Sequence, residues 1–332
     1  MPSVTPPSDT PPAAGPKRLA ALYAVICALL LTLPLMLVRW VPSTDLPQLL
    51  AQFELLGQAL EGGEDSQLRV QWWHPNKLGY LPLGLGWFIA SVFVGGDPAL
   101  AGRIGLALVI GSWVVAMSFI ARKRSLDPGQ AVLASLLVFS ASFHWGFVNF
   151  LVGLPLFLFF VYHLDEASGE DTADRNRAGP RLLLIGLLLY LAHVLWLAMA
   201  LLYLALDAAR GRRWSLLMNR LLWLAPALAL TTAWYGLFSS TGVDQRLFWG
   251  QLPWQRLHPT WLVESLFGGL QGPSEPAIAG AIILWLVLAL AQHRKKPLCG
   301  LDRNLALAAF LLLFAAFLLP AVYHHTILFA AR

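Results

Sequence analysis

Residues 19–38 read LAALYAVICALLLTLPLMLV, an apolar run that contains no acidic or basic side chain. A helix needs about 20 predominantly apolar residues to cross the hydrocarbon core of a bilayer, so this run predicts a membrane-spanning helix. Lys17 and Arg18 precede it, it is too long for the apolar region of a cleaved signal peptide, and no small-residue cleavage site follows it. We therefore expect a retained signal-anchor whose N-terminus stays in the cytoplasm.

The composition of the whole chain favours the same class. Hydrophobic residues make up 58% of the 332 residues, charged residues 12%, and the mean hydropathy is +0.64. Soluble domains carry about a quarter charged residues, so we expect a multi-pass protein of the inner (plasma) membrane. The net charge of +5 sits in short loops and indicates orientation, not nucleic-acid binding. Cys27 and Cys299 are the only cysteines, and no disulfide framework is expected.

The predicted fold class is an all-α, polytopic bundle of transmembrane helices. Residues 1–16 are rich in Pro, Ser and Thr and should form a disordered tail. A single transmembrane domain should then cover residues 17–332. The strong candidate spans after the first are Arg103–Ala121, Ala131–Phe143, Phe147–Leu164, Leu221–Phe238, Ala277–Ala291 and Leu305–Leu319.

Two further apolar stretches, Leu81–Gly95 and Leu182–Leu206, decide the topology. If each crossed once, two basic clusters would face outside, against the rule that Lys and Arg collect in cytoplasmic loops. The conflict disappears if Leu81–Gly95 lies in the interface and Leu182–Leu206 forms a hairpin of two short helices with its tip near His193. Every basic cluster is then cytoplasmic: Lys17–Arg18, Arg122–Arg124, Arg175–Arg181, Arg210–Arg220 and His293–Lys296.

In this topology the outer face holds most of the unusual residues. It comprises the loop 39–102, the tip 144–149, His193, the loop 239–275 and the C-terminal residues 323–332. Apolar side chains recur at helical spacing between residues 46 and 60, opposite several glutamines, which is typical of an interfacial helix. Asp45 opens this helix, so a carboxylate stands at the mouth of the first span.

Four short motifs on this face carry a family resemblance. They are Asp45-Leu46-Pro47, His74-Pro75-Asn76, the stretch GFVNFLVGL at residues 146–154, and Leu189-Tyr190-Leu191-Ala192-His193. The order of the helices resembles that of the GT-C glycosyltransferases, which include protein-O-mannosyltransferase and aminoarabinose-transferase-like enzymes. The four motifs more closely resemble those of bacterial GT-C-like multi-span proteins, whose substrates are largely unassigned. The resemblance covers about residues 17–240 and implies a GT-C-like bundle with juxtamembrane helices in the first outer loop.

The resemblance also implies a reaction of the cell envelope. Such enzymes move a sugar from a polyprenyl-phosphate donor to an acceptor hydroxyl or amine at the outer face of the membrane. Asp45 matches the family's general base by position and would take the acceptor proton. The candidates for holding the donor phosphate and the substrate on the same face are Lys77, His144, Asn149, His193, Arg246, Arg256 and Arg332. The expected partners are the lipid-linked sugar and membrane lipid.

Departures from the family pattern keep a second function open. Gln48 and Leu49 stand where relatives often have a histidine, and the tip 144–149 lacks the second acid of many members. The cofactor is therefore left open: a divalent metal is compatible with the resemblance but lacks the support of a second acid, and no metal site is assigned. A non-catalytic membrane subunit that binds lipid or a partner protein fits the same residues. A secondary transporter ranks lower, because the spans hold almost no internal charge and show no repeat.

Each candidate residue also has a structural interpretation. Asp45, with Pro47 in the first turn, could simply cap the interfacial helix. His193 could hydrogen-bond to the backbone at a helix turn, an interpretation we weigh equally with a phosphate contact. His144 and Asn149 fit interface anchoring and loop capping better than catalysis.

Overall fold

The computed structural model describes residues 15–61, 74–123, 128–166, 172–211 and 214–238, with isolated positions between 252 and 327. Most of these residues are helical; the rest form short connections and one antiparallel pair, β1 (Val322–Tyr323) and β2 (Thr326–Ile327). This confirms the predicted predominance of helix. The α-helices are α1 (Gly15–Leu37), α2 (Leu46–Glu61), α3 (Tyr80–Val94), α4 (Pro98–Lys123), α5 (Pro128–Ser135), α6 (Ala141–Trp145), α7 (Val148–Glu166), α8 (Thr172–Ala192), α9 (Val194–Gly211) and α10 (Trp214–Phe238).

Within the described ranges, two helices are both long and apolar enough to cross a bilayer. They are α4, over its whole length, and residues Leu216–Leu237 of α10. The 26 residues of α4 extend about 39 Å at 1.5 Å per residue. Shorter apolar helices of 10–17 residues run over Ala21–Leu37, Tyr80–Val94, Val148–Leu164 and Ala178–Ala192.

The stretch Leu81–Gly95 forms α3, which packs antiparallel against the first half of α4. The turn between them is short because Gly95 ends α3 in the left-handed conformation (φ 68°) and the Asp97 carboxylate accepts the Ala99 N–H at 3.0 Å. Gly86 packs against the backbone of α4, where a Cβ would lie 2.8 Å from the Gly105 nitrogen. Helix α3 therefore stays beside the N-terminal half of α4 and does not reach its Lys123 end.

Helix α1 ends on the same side of the bundle as this turn. Arg103, near the start of α4, donates from its guanidinium to the Val38 carbonyl at 3.3 Å. Helix α2 follows as the predicted amphipathic helix, with Leu46 and Leu50 buried and Gln48 exposed. Two helices, α2 and α3, thus lie in the sequence between α1 and α4, where the resemblance implies juxtamembrane helices.

Helices α7 to α10 alternate in direction. Trp196 packs on Phe150 and Phe157, and Tyr203 packs on Phe157, so α9 runs parallel to α7. The basic side chain of Arg220 pairs with Asp207 at 2.8 Å, which holds α9 and α10 together near their short connection. Helices α8 and α9 therefore form a hairpin with its tip at His193, as predicted.

The helices of this hairpin are longer than expected. The expectation of two short helices within Leu182–Leu206 is wrong in length, because α8 has 21 residues and α9 has 18. The additional residues lie at the ends of the two helices that are farther from the tip. Helix α8 begins at Thr172, so the basic stretch 175–181 belongs to it, and arginine is a good helix former that continues a helix readily.

The stretch Ala131–Phe143 also differs from its prediction as one span. It consists of the end of α5, a 3-10 turn at Leu136–Phe139 and the start of α6. Two serines account for the interruptions. The Ser135 hydroxyl donates back to the Ala131 carbonyl at 2.8 Å, and Ser140 is extended (ψ 176°). Residues 1–14 and most of the loop 239–275 lie outside the described residues, and so do most residues of the expected spans Ala277–Ala291 and Leu305–Leu319. Gly15 and Pro16, assigned to the tail, are helical.

Substitutions of two α-helical glycines should separate close packing from helix propensity. We expect Gly86→Ala to destabilise the protein by about 1–3 kcal/mol, because the new methyl meets the α4 backbone and the helices must move apart. Gly111→Ala is the matched control. No atom lies within 4 Å of its Cβ position, so it should be neutral or stabilising by up to about 1 kcal/mol. Thermal unfolding in detergent would compare them, and equal effects would contradict the α3–α4 packing.

Candidate functional site

Four stretches that lie far apart in the sequence meet at one end of the helices α7 and α8. We call them the four-segment cluster: residues 43–46, 74–80, 144–150 and 191–196. Each stretch contains part of one motif that carried the family resemblance. Hydrogen bonds and ring contacts join them, so the predicted outer-face motifs converge in space.

The turn that carries Asp45 is attached to the segment 144–146. The Thr44 amide donates to the His144 carbonyl at 2.8 Å, and the Asp45 amide donates to the Trp145 carbonyl at 3.0 Å. Gly146 makes this approach feasible. It has a φ of 81°, and a Cβ there would lie 2.9 Å from the backbone nitrogens of both Asp45 and Leu46. The position of Asp45 therefore depends on a glycine about a hundred residues later in the chain.

The loop before α3 is attached to α7 and to the tip of the α8–α9 hairpin. The amides of Lys77 and Leu78 both donate to the Leu191 carbonyl, at 2.7 and 2.9 Å. The Gly79 amide donates to the Asn149 side-chain oxygen at 2.6 Å. The structure therefore gives Asn149 a positioning role in this loop, which agrees with the loop-capping interpretation.

The carboxylate of Asp45 is placed differently from that of a side-chain cap. The residue occupies the N-cap position of α2, since its carbonyl accepts the Leu49 amide at 3.0 Å. Its side chain is half-buried. Among the residues that the structure describes, no hydrogen bond or ion pair involves this carboxylate. A carboxylate in this state has its acceptor oxygens available for a ligand.

His193 is the one residue between α8 and α9, and its ring caps α9. Its Nδ1 accepts the Leu195 amide at 3.2 Å, and its ring meets Phe150 edge to face at 5.6 Å. Because a backbone N–H donates to Nδ1, the neutral ring carries its proton on Nε2. Burial lowers the pKa of His193 to about 4. The side chain can therefore offer a phosphate a neutral N–H donor near pH 7, not a cation.

The other basic residues proposed to hold the phosphate fall into two groups. Lys77 and His144 belong to the cluster, and the arginines lie outside the described residues. Burial lowers the pKa of Lys77 from its ordinary value, as expected for a cation held where water is scarce. Burial also lowers the pKa of His144, and a hydrogen bond with the backbone of Pro42 opposes this. The remaining predicted phosphate holders lie outside the described residues: Arg246, Arg256 and Arg332.

Sequence reasoning missed residues that shape the cluster. The Trp196 indole donates to the Phe150 carbonyl at 2.8 Å and covers Gly153, whose missing side chain makes room for it. Asn76 has a φ of 63°, which is uncommon for a residue with a side chain. The quoted motifs contained Gly153 and Asn76, but nothing in the sequence gave them these roles.

The cluster unites one carboxylate, one ammonium group, three imidazoles and two side-chain amides at a single end of the bundle. In the part of the chain that the structure describes, no three of the His, Cys, Asp and Glu side chains are grouped so that they could hold one metal ion. Comparison of the chain with protein-family models, with curated proteins and with solved structures gave no match. The function of the cluster is therefore inferred from the chemistry of its own residues and from the motif resemblance.

The capping role of His193 predicts a pH-dependent stability. With a folded pKa near 4 against an ordinary 6.5, the unfolded chain binds the proton more tightly. Stability should therefore fall as the pH drops from about 6.5 to 4, by up to about 3 kcal/mol. His193→Asn keeps an N-cap acceptor without the titration, so its unfolding temperature in detergent should depend less on pH. Identical pH profiles for the two proteins would contradict the assignment.

Proposed function

We propose that this chain is a multi-pass membrane protein that transfers a sugar from a polyprenyl-phosphate donor to an acceptor at the outer face of the membrane. Asp45 acts as the general base, and Lys77 binds the donor phosphate. The proposal rests on three features: the apolar surface of the helices, the convergence of the four-segment cluster, and the availability of the Asp45 carboxylate. The reaction class comes from the resemblance of the chain to the GT-C glycosyltransferases.

The apolar surface favours a bilayer as the surrounding medium. Large hydrophobic side chains stand exposed along α1, α3 and α10; Leu37 and Phe93 are each 78% exposed and Leu222 is 70% exposed. Soluble monomers rarely expose apolar patches of this kind over several elements. In a bilayer the same side chains would contact lipid tails and would not be exposed to water.

The distribution of charge favours an outward-facing cluster. Lys123, at the C-terminal end of α4, lies over the ring of Tyr162 at 5.3 Å, near the C-terminal end of α7. The cluster includes the first residues of α7, so it occupies the other end of this helix. Because Lys and Arg favour the cytoplasmic side, the Lys123 end faces the cytoplasm and the cluster faces outward.

The observation that carries the proposal is the common location of Asp45 and Lys77. The Asp45 turn bonds to residue 145, the Lys77 loop bonds to Asn149 and to the hairpin tip, and residues 144–150 connect the two. A carboxylate without a partner among the described residues and a partly desolvated ammonium are thereby held in one neighbourhood. Transfer of a glycosyl group from a lipid phosphate needs a carboxylate that acts as a base and a cation that binds the phosphate.

The reaction assigns each charge a separate task. The acceptor oxygen or nitrogen forms a bond to the anomeric carbon of the sugar while its proton moves to the Asp45 carboxylate. The bond between the anomeric carbon and the phosphate oxygen breaks, and its electron pair leaves with the polyprenyl phosphate. The Lys77 ammonium stabilises the negative charge that develops there. The Nε2–H of His193 adds a neutral donor at the same end.

One observation favours the non-catalytic alternative. The tip 144–149 has Asn149 and no acid, and this amide is already bound to the Gly79 backbone. Asp45 is consequently the one carboxylate within the four segments. A protein that binds a lipid phosphate through Lys77, alone or with a membrane protein partner, needs no base. Removal of the Asp45 charge separates the two functions.

Asp45→Asn keeps the size of the side chain but removes the basic carboxylate, and it breaks no cap hydrogen bond, because the carboxylate makes none among the described residues. We expect sugar transfer in membranes to fall about 10²–10⁴-fold, as is usual for the loss of a general base, with little change in expression or thermal stability. Asp45→Ala should show the same loss of activity. Glu54→Gln changes an exposed acid of α2, nine residues after Asp45; it serves as the matched control and should retain activity.

A capping role alone gives a different result. Asp45→Asn would then be as active as the wild type, and Asp45→Ala would lower stability by about 1 kcal/mol. That result would refute the catalytic assignment and leave the lipid-binding subunit as the better account.

A further inference from the structure

The side-chain oxygen of Asn76, within the cluster, and the indole nitrogen of Trp234, beside it, are buried polar atoms without a hydrogen-bond partner among the described residues. The Ser43 hydroxyl, in the Asp45 turn, is a third. A buried polar group without a partner costs about 1–3 kcal/mol. Such groups in a folded protein usually meet a water molecule or a ligand instead.

The Asn76 oxygen and the Trp234 nitrogen belong to the same neighbourhood. The Trp234 ring lies edge to face with His74 at 5.6 Å, and Asn76 follows His74 by two residues. Helix α10 reaches this place along α8, where the Tyr190 hydroxyl lies 3.5 Å from the Leu230 carbonyl. Trp234 therefore stands beside the loop that carries Lys77, the proposed phosphate ligand.

The backbone of Asn76 is also held in an unfavourable conformation. Among the described residues it is the one non-glycine residue with a positive φ, at 63°. A residue with a side chain pays a small conformational cost there, although Asn tolerates it better than most residues. Strain of this kind persists where the surroundings impose it and is concentrated at functional sites.

We propose that Asn76 and Trp234 form a subsite for the glycosyl unit of the substrate, next to the phosphate position at Lys77. This subsite rests on the proposed function and names where the sugar lies. The Trp234 N–H donates to one sugar hydroxyl, and the Asn76 oxygen accepts from another.

The chemistry of the two atoms selects this ligand class. One atom is a donor and the other an acceptor, so the ligand needs groups that can both accept and donate. Hydroxyl groups do both. An ionised phosphate has no donor for the Asn76 oxygen, and a lipid tail has neither donor nor acceptor.

The test compares binding of geranyl phosphate with binding of its mannosyl, glucosyl and arabinosyl derivatives. Wild-type protein in nanodiscs should bind at least one glycosylated probe more tightly than the bare phosphate. Trp234→Phe keeps an aromatic ring but loses the N–H, and Asn76→Gly loses the amide but adopts the positive φ freely. Each should weaken the preferred glycosylated probe about tenfold and leave geranyl phosphate unchanged, by titration calorimetry.

Two controls keep the test specific. Trp223→Phe changes an indole three turns earlier in α10, where the ring packs over Gly179; its affinity for every probe should match the wild type. Asn76→Gly should unfold at the wild-type temperature or above it, because glycine removes the strain. A variant that loses binding without losing stability identifies a ligand contact and not a structural one.

Three results would overturn the subsite. They are no preference of the wild type for any glycosylated probe, wild-type affinities in both variants, and an equal loss of affinity for bare geranyl phosphate. Failure of the proposed function has a different signature. If the subsite variants behave as expected while Asp45→Asn transfers sugar normally, the subsite stands and the catalytic role of Asp45 falls. If Asp45 is needed for transfer but the variants bind normally, the subsite alone falls.

Discussion

The three backbone donors of the Lys77–Gly79 loop hold the cluster together. Two of them bind the Leu191 carbonyl at the hairpin tip, and the third binds the Asn149 side chain at the start of α7. Buried backbone amides need hydrogen-bond partners. This loop can therefore stay at the cluster only if the start of α7 and the tip of the α8–α9 hairpin lie at the same end of the bundle. The hairpin thus places Lys77 and also brings His193 to the same end.

The Asp45 turn depends on a steric constraint at Gly146. The positive φ and the close approach of the Asp45 and Leu46 nitrogens exclude any larger residue without a backbone shift. The carboxylate that begins α2 is therefore fixed to the segment that begins α7. Since the Lys77 loop is attached to the same segment, one short stretch of chain, residues 144–150, positions both charges of the proposed reaction.

The sequence predicted the features that depend on periodicity and on local residue chemistry. The helical class, the amphipathic α2 and the hairpin tip at His193 follow from apolar spacing and from the position of basic residues. The break in Ala131–Phe143 was missed because the back-bonding of Ser135 and the extended Ser140 depend on local geometry within an apolar run. The buried side-chain oxygen of Asn76 and the buried indole nitrogen of Trp234 were not predicted, because contacts between segments far apart in the sequence bury them.

The proposed phosphate site can be located by cryo-electron microscopy of the protein in nanodiscs that contain a polyprenyl phosphate. We expect phosphate density in contact with Lys77, close to the Asp45 turn and the His193 tip, at headgroup depth. The Lys123 end of α4 should lie at the opposite leaflet. Phosphate density at the Lys123 end instead, or a four-segment cluster in bulk water away from both leaflets, would contradict the proposed site.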